Sequence, residues 1–311
     1  MTSAPRHFID IAPLSKTEVR AILDEAHRRK KLRVGWPKAA PDDDVPLEGH
    51  ALAMIFEKAS TRTRVSFEIG MLQLGGQSIV LDAKQTQLGR GETVEDTARV
   101  LSRMVDAVML RTNAHQTVLD FAAASDVPVI NGLTDMSHPV QILADIMTIE
   151  ERLGDVGGKT IAWIGDGNNV CASFVHAAEK LGFKLRIASP QAYALRSQEI
   201  AAARAAGADV VAGTDPKAAI AGADVVVTDA WVSMGDTDKD QRIAALTPYA
   251  VDDALMANAA RDAIFLHCLP AHRGEEVTDA VIDGPRSAVW DEAENRIHAQ
   301  KAVLLWCLNK L

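Results

Sequence analysis

From Ala51 onward the chain alternates short apolar runs of strand length with longer amphipathic stretches, and that alternation leaves few folds open. ALAMIFE (Ala51–Glu57), SIVLD, DAVMLR and VPVING are separated by RTRVSFEIGMLQLGG, VEDTARVLSRM and TVLDFAAA. Apolar runs too short for helices, joined by segments of helical period, are the pattern of βαβ units and a parallel sheet. HPVQILADIMTIEERLG (His138–Gly154) reads as one long helix stopped by GDVGGK. The rhythm then restarts with TIAWIGD, a helix from about Asn169, KLRIAS, a helix around Ala194–Ala206, ADVVA, ADVVVTD, AIFLHC and SAVWDE. Two similar parallel-sheet α/β domains facing a cleft are therefore expected, over 1–137 and 138–293, with 138–153 as a linking helix. Asp10 to Lys31 reads as an amphipathic helix before them, and ENRIHAQKAVLLWCLNKL (294–311) as a terminal one.

A length of 311 residues suits two domains. The 33 Lys+Arg against 42 Asp+Glu give a net charge of −9, the wrong sign for coating phosphate backbones or anionic lipid. Neither a nucleic acid nor a membrane is an expected partner, and an anionic ligand must be met locally. Cys171, Cys268 and Cys307 are too few and too scattered for a disulfide framework or a CxxC zinc site, which suits a reducing cytoplasm. Asp10 and Pro13 interrupt the first segment, and no run approaches ~18 apolar residues, so neither secretion nor membrane spanning is expected.

In open α/β sheets ligands bind at the carboxyl ends of strands, so the residues there carry the argument. Ser60-Thr61-Arg62-Thr63-Arg64 runs from a strand into a helix. It supplies hydroxyls, backbone N–H groups, a positive dipole end and guanidinium groups, either as a phosphate or carboxylate cradle or as ordinary N-capping. Arg111 ends another strand. In Ser137-His138-Pro139-Val140-Gln141, Pro at the first helical position puts His138 near the N-cap and lets Gln141 reach back. Gly165-Asp166-Gly167-Asn168-Asn169-Val170 invites a dinucleotide reading, but Val170 stands where the third glycine belongs and no acid follows the next strand. A nicotinamide-dependent dehydrogenase is the runner-up. Asp229 to Gly235 (DAWVSMG), followed by the polar loop DTDKDQR, offers an acid, a hydroxyl and a lid suited to an ammonium group, or a simple turn. Cys268, in HCLP, is a nucleophile, a polar ligand or a buried filler.

As a set, STRTR, LRTNAH, HPVQ, DAWVSMG and HCLP resemble the carbamoyltransferase family over essentially the whole chain, with DxxxSMG and HCLP similar to its ornithine branch. The resemblance implies transfer of the carbamoyl group of carbamoyl phosphate to the δ-amine of L-ornithine, with no cofactor and no metal. It makes 1–137 the carbamoyl phosphate-binding domain and 138–293 the ornithine-binding domain, with 294–311 returning to the first. It assigns the phosphate to Ser60, Thr61, Arg62, Thr63 and Arg111, and the carbamoyl group to His138 and Gln141. Gln87 would come from the neighbouring subunit of a homotrimer with shared sites, with a higher assembly of trimers left open. Asn169, Asp229, Ser233 and Met234 would hold ornithine. Cys268, the backbone at Leu269 and Arg296 would surround the reacting centre, Arg111, His138, Cys268 and Arg296 being catalytic, and Leu269-Pro270 is expected to be cis. N-acetylornithine or putrescine as the amine, or a subunit that binds without catalysis, remain alternatives; aspartate is disfavoured by SMG and HCLP.

Overall fold

Hydrogen-bond pairing sorts the strands into two all-parallel sheets. The computed structural model describes residues 4–58, 60–83, 91–232 and 237–311. The first sheet contains β1 (Ala51–Phe56), β2 (Gln77–Asp82), β3 (Ala107–Arg111) and β4 (Val129–Leu133), in the order β2-β1-β3-β4. Its helices are α1 (Lys16–Leu32), α2 (Thr61–Gln73), α3 (Val94–Leu101), α4 (His115–Ala124) and the start of α5 (Pro139–Leu153). The second sheet, of order β7-β6-β5-β8-β9, contains β5 (Thr160–Ile164), β6 (Lys184–Ala188), β7 (Asp209–Gly213), β8 (Val225–Val227) and β9 (Ile264–Leu266). Between its strands run α6 (Asn169–Leu181), α7 (Ser197–Ala205), α8 (Pro216–Ile220), α9 (Lys239–Leu246) and α10 (Asp253–Met256). After them come α11 (Asp279–Ile282) and α12 (Val289–Cys307). The expectation of two parallel-sheet α/β domains is met. Leu52–Phe56 and Ile161–Ile164 are buried without alternation, as strands covered on both faces must be.

The chain divides into one unit of Met1–Ala144 with Glu294–Leu311 and another of Asp145–Ala293. The division thus falls inside α5, seven residues beyond the boundary read from the sequence, because the Gln141 side chain on the first turn of α5 accepts from Arg296 Nη1 at 2.5 Å, within the first unit. Three further differences have local causes. The first helix begins at Lys16 rather than Asp10, since Ser15 and Glu18 close a capping box in which each side chain bonds the other's backbone N–H. SAVWDE is not a strand: only Ser287 bridges Phe265, Ala288 N–H donates to Phe265 O, and the terminal helix then starts at Val289, leaving Trp290 58% exposed. The polar run DTDKDQR is not all loop, because α9 begins at Lys239.

One buried ionic knot ties the first unit together. Asp42, in the loop before β1, accepts from Arg29 Nη1 and Arg33 Nη1 at 2.6 Å each and from Lys301 Nζ at 2.7 Å. Lys301, fully buried on α12, also donates to Gln73 Oε1 at 2.9 Å, and its stem passes so close to α2 that a Cβ on Gly70 would sit 3.3 Å from it. Burial pulls Lys301 from 10.5 down to about 8, with Asp42 opposing, so it stays charged at neutral pH. Burial raises Asp42, but Lys301, Arg29 and Arg33 together hold it below the usual carboxylate range. Removing the shared acid leaves the buried Lys301 facing only the neutral Gln73 oxygen among the described residues, and takes a carboxylate from Arg33 and from Arg29, which keeps Glu25 and Asp44. Removing Lys301 instead leaves Asp42 two guanidinium partners. Asp42→Ala is therefore expected to cost at least about 3 kcal/mol and Lys301→Met less than about 2 kcal/mol in urea denaturation; equal costs would contradict this account.

Candidate active site

In the first sheet the strand order reverses beside β1, and the polar residues gather at the carboxyl ends there. Ser60 occupies the N-cap of α2 in extended conformation but makes no side-chain capping bond, and the first turn carries no acid. The capping alternative for Ser60 is thereby removed, and the hydroxyl and the positive end of a 13-residue helix are left for an anion. A cavity of about 440 Å³ beside it is lined in part by Glu57, Lys58, Ser60, Thr61 and Arg64. Thr63, buried one turn on, accepts from Arg111 Nη1 and from Arg296 Nη2, both at 3.1 Å. Arg296, on α12, is buried, with its other terminal nitrogen on Gln141. Gln141 Oε1 thus serves this guanidinium.

His138 lies buried immediately before α5, whose first residue is Pro139. The preceding turn is fixed by Asn131 Nδ2 donating to Ser137 Oγ and by Ser137 N–H donating to Thr134 Oγ1. Burial, then Arg296, Arg111 and Arg62, push the imidazole well below its ordinary 6.5. His138 is therefore neutral at working pH, and the folded chain binds fewer protons than the unfolded one once pH falls below about 6.5, so the shift subtracts stability in acid. In a histidine-selective NMR titration the His138 signal should not move between pH 8 and 5, and Arg111→Ala should raise its midpoint; a wild-type midpoint near 6.5 would refute the arrangement.

The second sheet reverses beside β5. Asp229, just past β8, accepts from Asn168 Nδ2 at 2.7 Å and from the Cys268 thiol at 3.0 Å. Asn168 also caps α6, its Oδ1 accepting from the N–H groups of Val170 and Cys171. Asn169, the residue singled out from the sequence, is the first residue of that helix. Burial, then Asp229 and Glu292, raise Cys268 well above an ordinary thiol, so it is a neutral donor and not a thiolate nucleophile. HCLP is braced from below. Glu292 accepts from His267 N–H at 2.9 Å, Leu269 N–H donates to His267 Nδ1 at 2.9 Å, and His267 Nε2 is left to donate to the buried Glu276 at 3.1 Å. Leu269 adopts a positive φ of 59° and Leu269-Pro270 is cis.

Gly167 explains the failed dinucleotide reading. Its N–H donates to Tyr193 O, and a Cβ there would lie 2.2 Å from Leu195 N, so the chain itself takes the close approach that a pyrophosphate needs. Gln87, Ser233 and Met234 fall outside the described residues. Beyond that stretch, Arg242 donates to Trp231 O, pairs with Asp166 and stacks on Tyr193 with 4.5 Å to the ring centroid. Sequence reasoning missed Glu57, Asn168, His267 and Glu276. Glu57 accepts from Thr112 Oγ1 at 2.5 Å and Asn113 N–H at 2.9 Å and so fixes the backbone just after Arg111.

An anion cradle at the carboxyl edge of one parallel sheet and a carboxylate–amide–thiol cluster at that edge of another define a two-domain α/β enzyme of the group-transfer kind. Residues 6–151 match the aspartate/ornithine carbamoyltransferase carbamoyl-P binding domain, and residues 157–307 match the Asp/Orn binding domain of the same family. The chain belongs to the aspartate/ornithine carbamoyltransferase family. It is 62% identical over 307 residues to the ornithine carbamoyltransferase of Caulobacter vibrioides, covering 99% of both chains, and 61% identical to that of Rhizorhabdus wittichii, covering 98% and 99%. Among solved structures it is similar to the ornithine carbamoyltransferase of Pyrococcus furiosus, at 46% identity and a TM-score of 0.92 over 100% and 99% of the two chains. It also resembles the anabolic enzyme of Campylobacter jejuni, at 40% identity and 0.89 over 98% and 100%.

Proposed function

We propose that the chain catalyses carbamoyl transfer from carbamoyl phosphate to the δ-amine of L-ornithine, giving L-citrulline and phosphate, as in arginine biosynthesis. The observation that carries this is the convergence of Arg111 and Arg296 on Thr63 in the first turn of α2, beside a neutral His138. Carbamoyl phosphate presents a dianionic leaving group on a weakly electrophilic carbonyl. Ser60, Thr61, Arg62, Thr63 and Arg111 would neutralise the phosphate, while His138, held neutral, donates to the carbonyl oxygen without competing for that negative charge. Gln141 and Arg296 would hold the carbamoyl end.

In the second unit, Asp229 suits an ammonium group on the amino acid. Its two oxygens are aimed by Asn168 and Cys268 rather than free to rotate. A δ-amine resembling lysine has an unperturbed pKa of ~10.4 and must lose its proton to attack. Beside a neutral thiol in a partly desolvated pocket the neutral amine is favoured. The C–N bond then forms, the C–O bond to phosphate breaks, and the departing phosphate accepts the proton released from nitrogen. Three cysteines without a disulfide suit a reducing cytoplasm. The reading includes a homotrimer in which Gln87 serves the neighbouring subunit's site, for which sedimentation should find three chains per particle.

Citrulline-type product formation should be measured with L-ornithine, N-acetyl-L-ornithine, putrescine and L-aspartate side by side. Ornithine should be preferred, and Arg62→Ala should lower kcat/KM by about 10²–10³-fold; preference for another amine would keep the phosphate site and overturn the ornithine assignment. Asn168→Ala should raise KM for ornithine with little change in KM for carbamoyl phosphate, because the groups it releases, Asp229 and the capped N–H groups of Val170 and Cys171, all belong to the second unit. Equal changes in both constants would count against that role.

A further inference from the structure

The turn following HCLP carries three side chains of metal-ligating type, of which Glu276 also braces the Cys268 loop through His267. His272, Glu275 and Glu276 place one ligand atom each within 4.8 Å of one another. Their backbone is fixed: Glu275 N–H donates to His272 O at 2.9 Å, Gly274 N–H to Val277 O at 2.9 Å, and Glu276 O accepts from Val251 N–H at 2.9 Å. Gly274, at φ 87°, makes the reversal that brings His272 and Glu276 to one side.

The independent sign of a ligand is Glu276. Its side chain is fully buried, and one oxygen is spoken for, accepting from His267 Nε2 at 3.1 Å and from His272 N–H at 2.5 Å. The other, Oε2, meets no hydrogen-bond donor among the described residues and lies 3.7 Å from His272 Nδ1, too far for a hydrogen bond. A buried carboxylate oxygen with no donor is costly and calls for a positive partner. The His272 ring is 46% exposed, so the position has a path to solvent. One imidazole nitrogen and two carboxylates balance a dication and can close on it at about 2.0–2.2 Å, leaving remaining coordination positions to water. The nearby group of Asp229, His267 and Cys268 is a poorer candidate, because both nitrogens of His267 and both oxygens of Asp229 already hold hydrogen bonds.

We propose that His272, Glu275 and Glu276 form a site for a first-row divalent metal ion of the zinc or cobalt class, on the turn that braces the Cys268 loop. The proposal stands on this geometry and not on the carbamoyl-transfer reading. The test is calorimetric titration of the full chain with Zn²⁺ and visible spectroscopy with Co²⁺, for the wild type, His272→Ala, Glu275→Gln and Cys268→Ser. One ion per chain is expected. His272→Ala and Glu275→Gln should each weaken binding at least about tenfold, Cys268→Ser should leave it unchanged, and the cobalt spectrum should lack a thiolate charge-transfer band. Absence of saturable binding, or binding that survives His272→Ala and is lost in Cys268→Ser, would overturn the proposal.

Discussion

A guanidinium buried near the end of the chain governs the first unit. Arg296 cannot lose its proton, so its burial is tolerable only if acceptors are waiting for it. Gln141 Oε1 and Thr63 Oγ1 supply them, one from the start of α5 and one from the start of α2. Two helix N-termini far apart in sequence are thereby fixed by a residue 155 positions beyond one and 233 beyond the other. The Asp42–Lys301 knot acts on the other end of the same stretch of α12. The C-terminal helix is held by charge at two levels, and the polar residues near His138 inherit their placement from it.

The electrostatics follow from that placement. Burial and three guanidinium groups leave His138 neutral, and burial and three carboxylates, Asp229, Glu292 and Asp145, leave Cys268 protonated. Each is kept uncharged first by burial and then by neighbours of the sign it would itself acquire. A neutral donor beside fixed cations and a neutral thiol beside a fixed anion require no protonation change before reaction, which is what preorganised stabilisation of developing charge demands.

Much of this was legible because the apolar runs and their carboxyl-end residues are local in sequence. Strand ends put Arg111, Asp229 and Cys268 where the topology needs polar groups, and Pro139 marks the start of α5. What could not be read depends on long-range partners. Arg296 looks like any helix-surface arginine until Thr63 and Gln141 come to it. SAVWDE has the composition of a strand, but its burial, with Ala288, Val289, Glu292 and Arg296 inward and Trp290 outward, has the period of a helix. Asn168 and Asn169 are indistinguishable by type. Only the capping geometry, which turns Asn168 toward both Val170 N–H and Asp229, separates them.

Thr63 has one oxygen with two lone pairs, and each is met by an arginine. The single hydrogen of that hydroxyl can then only be given away. The first turn of α2 accordingly discriminates by polarity as well as by charge: an atom arriving opposite Thr63 must bring a lone pair, as a phosphoryl or carbonyl oxygen does. A group that brings a hydrogen of its own, such as an amide nitrogen or an ammonium, meets a hydrogen already there and is turned away.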